Sequence, residues 1–303
     1  MQIKEQIQQS KSKEKMQDIK GNLLCIACLS IIILMIISIL YFICSKGIQI
    51  FTKNNLSLWE FLGSTSWNPG MTENQSKIGA LAMITTSFAV TLLSVILATP
   101  FAIAIGLYIT EYGSQKIEKL FQPTIELLIG IPSVVYGYIG LKVVIPLIQK
   151  IFGGTGFGIL AGAVVLFIMV LPTITSLTID SLKAVPVNYR QASLALGATR
   201  WQTNYKIVLR VALPGILTAI IFAMTRAFGE ALAVQMVIGN VVEMPKNLLT
   251  PTATLTSQLT SQMGNTIMGT LPNNALWTLA LTLLIMSLIF NVAIKLIAKR
   301  EMI

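Results

Sequence analysis

Uncharged or nearly uncharged runs long enough to cross the ~30 Å hydrocarbon core of a bilayer dominate this chain, and they constrain its fold before any other feature does. In hydrocarbon every backbone N–H and C=O must be paired within the protein, so such runs are helices unless they close a barrel. Six qualify: Leu23–Ile43, Ile78–Thr110, Leu120–Ile148, Gly156–Leu182, Pro214–Asn240 and Ala275–Ile297. The first is too long for a signal-peptide core and lacks an Ala-x-Ala cleavage site, so it reads as a retained span. Composition agrees: 54% of residues are hydrophobic and 11% charged, against about 25% charged in soluble domains. The expected fold class is all-α, a polytopic membrane protein with six transmembrane helices.

Basic residues orient it. Fifteen (Lys4, Lys11, Lys13, Lys15, Lys20, Lys116, Lys119, Lys183, Arg190, Arg200, Lys206, Arg210, Lys295, Lys299 and Arg300) fall on the side of the termini. Five (Lys46, Lys53, Lys77, Lys150 and Lys246) fall in the opposite loops. The positive-inside rule then puts both termini in the cytoplasm of a cell-membrane protein. The net charge of +10 is thus topological and implies lipid, with no nucleic-acid partner. Histidine is absent, which removes His-based acid/base chemistry and the Ser-His-Asp triad. Cys25, Cys28 and Cys44 lie in or beside the first span with no second ligand pair, so they read as small packing residues and no metal site is expected.

Proline punctuates the spans at Pro100, Pro132 and Pro172, where each removes a backbone hydrogen bond and kinks its helix. The densest cluster, Gly130 to Gly137, is a break that places Ser133 and Tyr136 at mid-membrane depth, as helix-packing irregularity or as part of a pathway wall. Gly153–Gly158 is glycine-rich but lacks a preceding strand and a P-loop lysine, so it reads as a turn. The outer loop 46–77 carries Trp59 and Trp67, suited to the headgroup region. In the outer loop 241–274, Leu248, Leu255, Leu259 and Met263 suggest a short surface helix.

The cytoplasmic stretch 183–213 carries most information. After Pro186, Asn188 is expected to cap a short helix with Tyr189, Ala192, Ser193 and Leu196 on one face. Small Ala192, Ser193 and Ala195 would let another protein approach closely, and Gly197 ends the helix. Trp201, Tyr205, Val208 and Ala212 then form an amphipathic stretch expected along the membrane interface.

Gln191-Ala192-Ser193-x-x-x-Gly197, followed by Ile207 and Leu213-Pro214, resembles the EAA loop with which ABC-importer permeases dock on their ATPase. Gln191 stands for the usual Glu, and Leu-Pro comes four residues late. Ile131-Pro132-Ser133-Val134-Val135-Tyr136-Gly137, Gly197-Ala198-Thr199-Arg200-Trp201-Gln202-Thr203 and Thr225-Arg226-Ala227-Phe228-Gly229-Glu230 are similar to segments of the phosphate-specific permeases. The N-terminal arm and Phe61-Leu62-x4-Trp67-Asn68-Pro69 resemble the PstC-type subunit. The resemblance implies a type I ABC importer permease fold with a cytoplasmic arm (1–22), a first helix (23–43) and an external loop (44–77). A type I transmembrane domain (80–297) containing the coupling loop 183–213 and a cytoplasmic tail (298–303) would follow. It implies a PstA-type permease as heterodimer partner, a PstB-type ATPase dimer and a PstS-type phosphate-binding protein. Tyr189, Gln191, Ala192, Ser193, Leu196 and Gly197 would meet the ATPase. No cofactor is expected in this chain, since no Gly-x4-Gly-Lys-Ser/Thr is present; ATP and Mg would bind the ATPase. No catalytic residue is expected.

Arg226 and Glu230 are spaced i, i+4 on the fifth helix, about 6 Å apart along its axis and on one face. A lone charge at mid-bilayer costs roughly 2.5–3.5 kcal/mol, so they are expected to pair or face water. The resemblance places them, with Ser133 and Tyr136, on the translocation path, where the guanidinium fork suits phosphate oxygens. An ion pair that only locks helix packing is the alternative. Another oxyanion, such as sulfate, molybdate or phosphonate, would suit the same fork. An ion-coupled secondary transporter would account for Glu230 and Asp180 but leaves the helix around Ala192 without a purpose.

Overall fold

Each apolar run is mostly helical in the computed structural model, which describes residues 2–54, 56–70 and 77–300. The side chains of Lys4, Lys11, Lys13, Lys15, Lys299 and Arg300, loop positions 55 and 71–76, and the tail beyond 300 lie outside the described set. Among the described residues six helical stretches are long and apolar enough to cross a membrane: Ile19–Lys53, Leu81–Tyr112, Ser133–Phe152, Ile159–Lys183, Arg200–Phe228 and Leu271–Ala293.

The chain opens with α1 (Gln2–Gly47), whose residues 19–42 are all exposed. It touches the bundle at its far end, where Phe42 meets Trp277 edge-on at 5.0 Å and Gly47 lies under Leu281. Short helices α2 (Gln49–Lys53) and α3 (Leu58–Gly63) lead to a two-stranded antiparallel hairpin, β1 (Trp67–Asn68) and β2 (Lys77–Ile78), with Trp67 opposite Ile78. Phe61, Ile50 and Ile78 bury themselves here with Leu271 and Leu276. Next come α4 (Leu81–Leu107), which contains Pro100 and ends in a π-helical turn at Tyr108–Tyr112, and α5 (Gln115–Gly130). Helix α6 (Ser133–Ile139) runs through a π turn (Gly140–Val144) into α7 (Ile145–Phe152). After the glycine turn, α8 (Ile159–Lys183) returns through the centre of the molecule.

The core is the long contact between α4 and α8, with α11 (Leu209–Phe228) laid against α8. Lipid is as apolar as leucine, so packing in such a bundle comes from small residues and interhelical polar contacts. The buried positions fit that logic: Thr86, Ser87, Thr91, Ser94 and Ala98 on α4 and Ala161, Ala163, Thr173, Thr175 and Thr178 on α8 are all small and at most 5% exposed. Two of these hydroxyls are satisfied within their own helix, Ser94 Oγ donating to the Thr91 carbonyl at 2.8 Å and Thr175 Oγ1 to the Leu171 carbonyl at 2.7 Å.

Two spans differ from expectation. The third begins at Ser133 instead of Leu120, because Pro132 supplies no N–H and holds Ile131 extended (φ −66°, ψ 129°), which ends α5 at Gly130. The fifth starts earlier, at Arg200. There α10 (Arg200–Thr203) joins α11 through a π turn at Asn204–Val208. Val208 and Ala212 are buried while Trp201 and Tyr205 remain exposed, so the stretch expected along the interface is the first part of a span. That span stops at Phe228, and α12 (Leu232–Ile238) is a separate short helix packed on α6 and α8. In the following loop the helix forms as α13 (Leu255–Gln262), yet Leu255, Thr256, Ser257 and Gln258 are buried, so it plugs the bundle instead of lying on the surface. Exposed Leu248 lies outside it. Helix α14 (Leu271–Arg300) closes the structure.

Candidate functional site

The polar groups of the interior meet where α11 ends. Arg226 sits in the last turn of α11, and its Nη1 donates to Thr173 Oγ1 of α8 at 2.9 Å. Thr173 is 4% exposed, and Arg226 is partly buried. Glu230 follows the helix end: its Oε1 accepts from the Ala233 N–H at 3.1 Å, and its carbonyl accepts from Thr256 Oγ1 of α13 at 2.8 Å. The expected pairing on one helix face is therefore corrected. The helix stops at Phe228, Glu230 turns toward the start of α12, and among the described residues Arg226 and Glu230 form no ion pair. The carboxylate finds an orphan backbone N–H of the next helix, a partner that such a terminus always offers. Ser87, Thr91, Thr254 and Thr256 line a small cavity with Glu230, beside the apolar Val90, Leu166, Phe228 and Val234.

The second break faces this one. Tyr136 is 5% exposed, and its hydroxyl donates to the Leu128 carbonyl across the Ile131-Pro132 gap at 2.8 Å. Its phenol thus braces the break by binding a carbonyl freed at the end of α5. Ser133 begins α6, partly buried. Tyr136 lies within electrostatic range of Arg226. Helices α6 and α12 cross so closely that a Cβ on Gly137 would fall 2.9 Å from Ala233 Cα and 2.8 Å from Met236 Sδ.

At one end of the bundle, α9 (Val187–Ala195) stands clear of the rest, with no buried residue. Leu196, at its C-terminus, is 90% exposed, and Tyr189 and Leu194 are also open. The helix is capped by Pro186, not by Asn188 as expected, because the fixed φ of proline (−57°) sets the entry turn. Its end is a Schellman arrangement: Gly197 N–H donates to Leu194 O at 3.0 Å and Ala198 N–H to Ser193 O at 3.3 Å. Gly197 has φ +83°, a conformation that side chains with a Cβ resist. Two residues on, Thr199 and Gln202 cap α10 reciprocally, with Gln202 N donating to Thr199 Oγ1 at 3.2 Å and Thr199 N to Gln202 Oε1 at 2.9 Å. Gln191, Ala192 and Leu196 are exposed, whereas Ser193 turns inward, its hydroxyl 2.9 Å from that of Thr203.

Residues 98–302 match the family described as the binding-protein-dependent transport system inner membrane component. The chain belongs to this transporter permease family. It is 43% identical over 302 residues to the probable ABC transporter permease protein YqgH of Bacillus subtilis, spanning 99% of this chain and 97% of that one. It is 34% identical over 213 residues to the phosphate transport system permease protein PstC of Mesorhizobium japonicum, spanning 64% of each. It is 30% identical to PstC 1 of Mycobacterium tuberculosis over 79% of this chain and 81% of that one. Among solved structures, a permease chain of a bacterial ABC transporter involved in the import of the polysaccharide alginate aligns over 94% of this chain and 98% of its own, with a TM-score of 0.64 at 16% identity. One from the MetNI methionine ABC transporter aligns over 74% of this chain and 94% of its own, with a TM-score of 0.54 at 22% identity. These structural likenesses establish the fold, and the family match makes the chain an ABC importer permease, a transport subunit and not an enzyme.

Two residues of this permease that matter structurally carried no sequence signal. Glu111, in the π turn after α4, pairs with Arg190 of α9 across 79 positions of sequence, with Nη2 to Oε1 at 2.7 Å. Thr173 lies inside an apolar run, and its role shows only through the Arg226 contact. The capping pair Thr199 and Gln202 was legible as Thr-x-x-Gln ahead of an apolar run.

Proposed function

We propose that this permease forms half of the path by which an ATP-driven importer carries inorganic phosphate across the cell membrane. In this reading α9 and both termini are cytoplasmic, and α9 docks on an ATPase dimer that binds ATP and Mg. A second, related permease completes the path, and a phosphate-binding protein delivers the anion on the opposite face. The exposure of α9 carries the docking role: a helix without one buried residue, ended by a Leu196 that is 90% exposed, is a surface built for another protein. Phosphate is supported by the relatives named as phosphate transport permeases and by Arg226, whose planar fork has donors beyond the one given to Thr173. Asp180 and the other carboxylates need no coupling ion in this reading, since energy comes from the ATPase.

The test is co-purification of the ATPase with the Leu196→Asp and Gly197→Trp variants, together with labelled phosphate uptake in competition with sulfate. Loss of the ATPase and of uptake at unchanged membrane abundance is expected, with sulfate not competing. An ATPase retained at full stoichiometry by both variants would end the docking role, and equal competition by sulfate would end the phosphate assignment.

A further inference from the structure

Helix α9 needs something to push against, and its own contacts with the bundle are sparse. None of its residues is buried. Besides the Ser193–Thr203 hydroxyl contact at 2.9 Å, its side-chain attachment is Arg190. That one guanidinium reaches two elements at once. Its Nε and Nη2 contact the Glu111 carboxylate, at 3.2 and 2.7 Å to Oε1. Its Nη1 donates to the Val185 carbonyl at 2.6 Å and its Nη2 also to the Leu182 carbonyl at 2.9 Å. Glu111 belongs to the π turn that ends α4, while Leu182 closes α8 and Val185 lies just beyond it. The pair is largely removed from solvent, with side-chain exposures of 20% for Arg190 and 10% for Glu111.

We infer that Arg190 is a positioning residue that fastens the docking helix α9 to the ends of α4 and α8, so that movement of α9 is delivered to the two central helices of the bundle. The inference rests on the docking role of α9 proposed above. Three physical points support it. A guanidinium can serve a carboxylate and two carbonyls together because its donors lie in a rigid plane, which an ammonium cannot reproduce. A buried pair that loses one member leaves an uncompensated charge, so breaking this contact is costly. The helix it grips, α8, also carries Thr173, the acceptor for Arg226. One helix therefore bears both the docking element's anchor and the partner of the path's cation. The neighbouring Lys183–Glu118 pair, 38% exposed on each side, is screened by water and is not expected to contribute comparably.

The test uses the complete transporter in proteoliposomes, reading phosphate moved per ATP hydrolysed, with ATPase stoichiometry measured on the same preparation. Arg190→Ala should keep the ATPase bound and lower transport per ATP by about tenfold, within the range by which residues along a coupling network act. Arg190→Lys, which keeps the charge beside Glu111 and loses the planar fork, should fall between. The Glu111→Ala and Arg190→Ala double variant should be no worse than Arg190→Ala alone, as for two residues acting as a unit. Should Arg190→Ala reduce assembly, the ratio measured in assembled Arg190→Lys complexes decides the matter. Wild-type transport per ATP in Arg190→Lys and Arg190→Ala, while Leu196→Asp still sheds the ATPase, would overturn the positioning role and leave the docking role standing. If Leu196→Asp and Gly197→Trp both retain the ATPase, the docking role itself falls.

Discussion

Replacing Thr173 by valine isolates the contact on which the interior cation depends. Valine keeps the branched shape and removes the hydroxyl, so the 2.9 Å bond from Arg226 Nη1 is lost while the packing of a side chain only 4% exposed is disturbed little. A hydrogen bond to a charged group contributes about 1.5–3 kcal/mol, and if all of it is lost where the path is formed, uptake falls roughly 10- to 150-fold. That figure is a ceiling, because the freed guanidinium can swing toward Glu230, four positions on. Thr173→Ser retains an acceptor and should stay within about threefold of wild type, a difference smaller than 1 kcal/mol. The assay is initial-rate uptake of labelled phosphate in cells, normalised to permease in the membrane. Normal uptake by Thr173→Val, or equal loss in Thr173→Val and Thr173→Ser, would refute the argument, since either shows that the hydroxyl–guanidinium contact is not what positions Arg226.

Gly137→Val should destabilise the crossing of α6 and α12, because its Cβ would fall 2.9 Å from a backbone carbon that cannot step aside; overpacking of this kind costs about 1–3 kcal/mol, measurable as a lowered Tm in detergent. Glu230→Gln keeps an oxygen for the Ala233 N–H and should leave Tm unchanged within about 0.5 kcal/mol, whereas Glu230→Leu removes the acceptor and should lower it. Transport that survives Glu230→Leu intact would show that the carboxylate is dispensable. With Cys25, Cys28 and Cys44 replaced, an impermeant thiol reagent added outside cells should label Lys150→Cys and spare Lys119→Cys; the reverse pattern would invert the proposed orientation and remove α9 from the ATPase side.

The spans were legible because lipid leaves the backbone few choices, and length alone finds them. The end of α9 was legible for a local reason as well: Gly197 is a helix stop, and the Thr199-x-x-Gln202 helix start begins two residues later. The ends of the third and fifth spans were harder. Pro132 was visible, but whether a proline kinks or breaks a helix depends on what donates to the freed carbonyl, and Tyr136 performing that task for Leu128 is a tertiary fact. The stop at Phe228 has no proline at all. The i, i+4 spacing of Arg226 and Glu230 pointed to a continuous helix, and only the competing acceptors Thr173 and donor Ala233 pull the two apart. Arg190 read as one more basic residue of a loop, since its partner Glu111 is 79 positions away. Short-range pattern exposes caps and stops; it is silent about bonds closed over long stretches of chain.

The bare flank of α1 bears on biosynthesis. Residues 19–41 are exposed along their whole length, so most of this helix can partition into lipid as soon as it leaves the ribosome, without waiting for a neighbour. The heart of the molecule has no such freedom: α4 must wait in the bilayer for α8, synthesised more than fifty residues later, and the hydroxyls of Thr86 and Ser87 wait longer still, for Thr252 and Leu255. Between those two events the nascent chain is a set of independent rods with a hydroxyl-bearing stripe open to lipid, and that interval is where quality-control proteases would find it most readily.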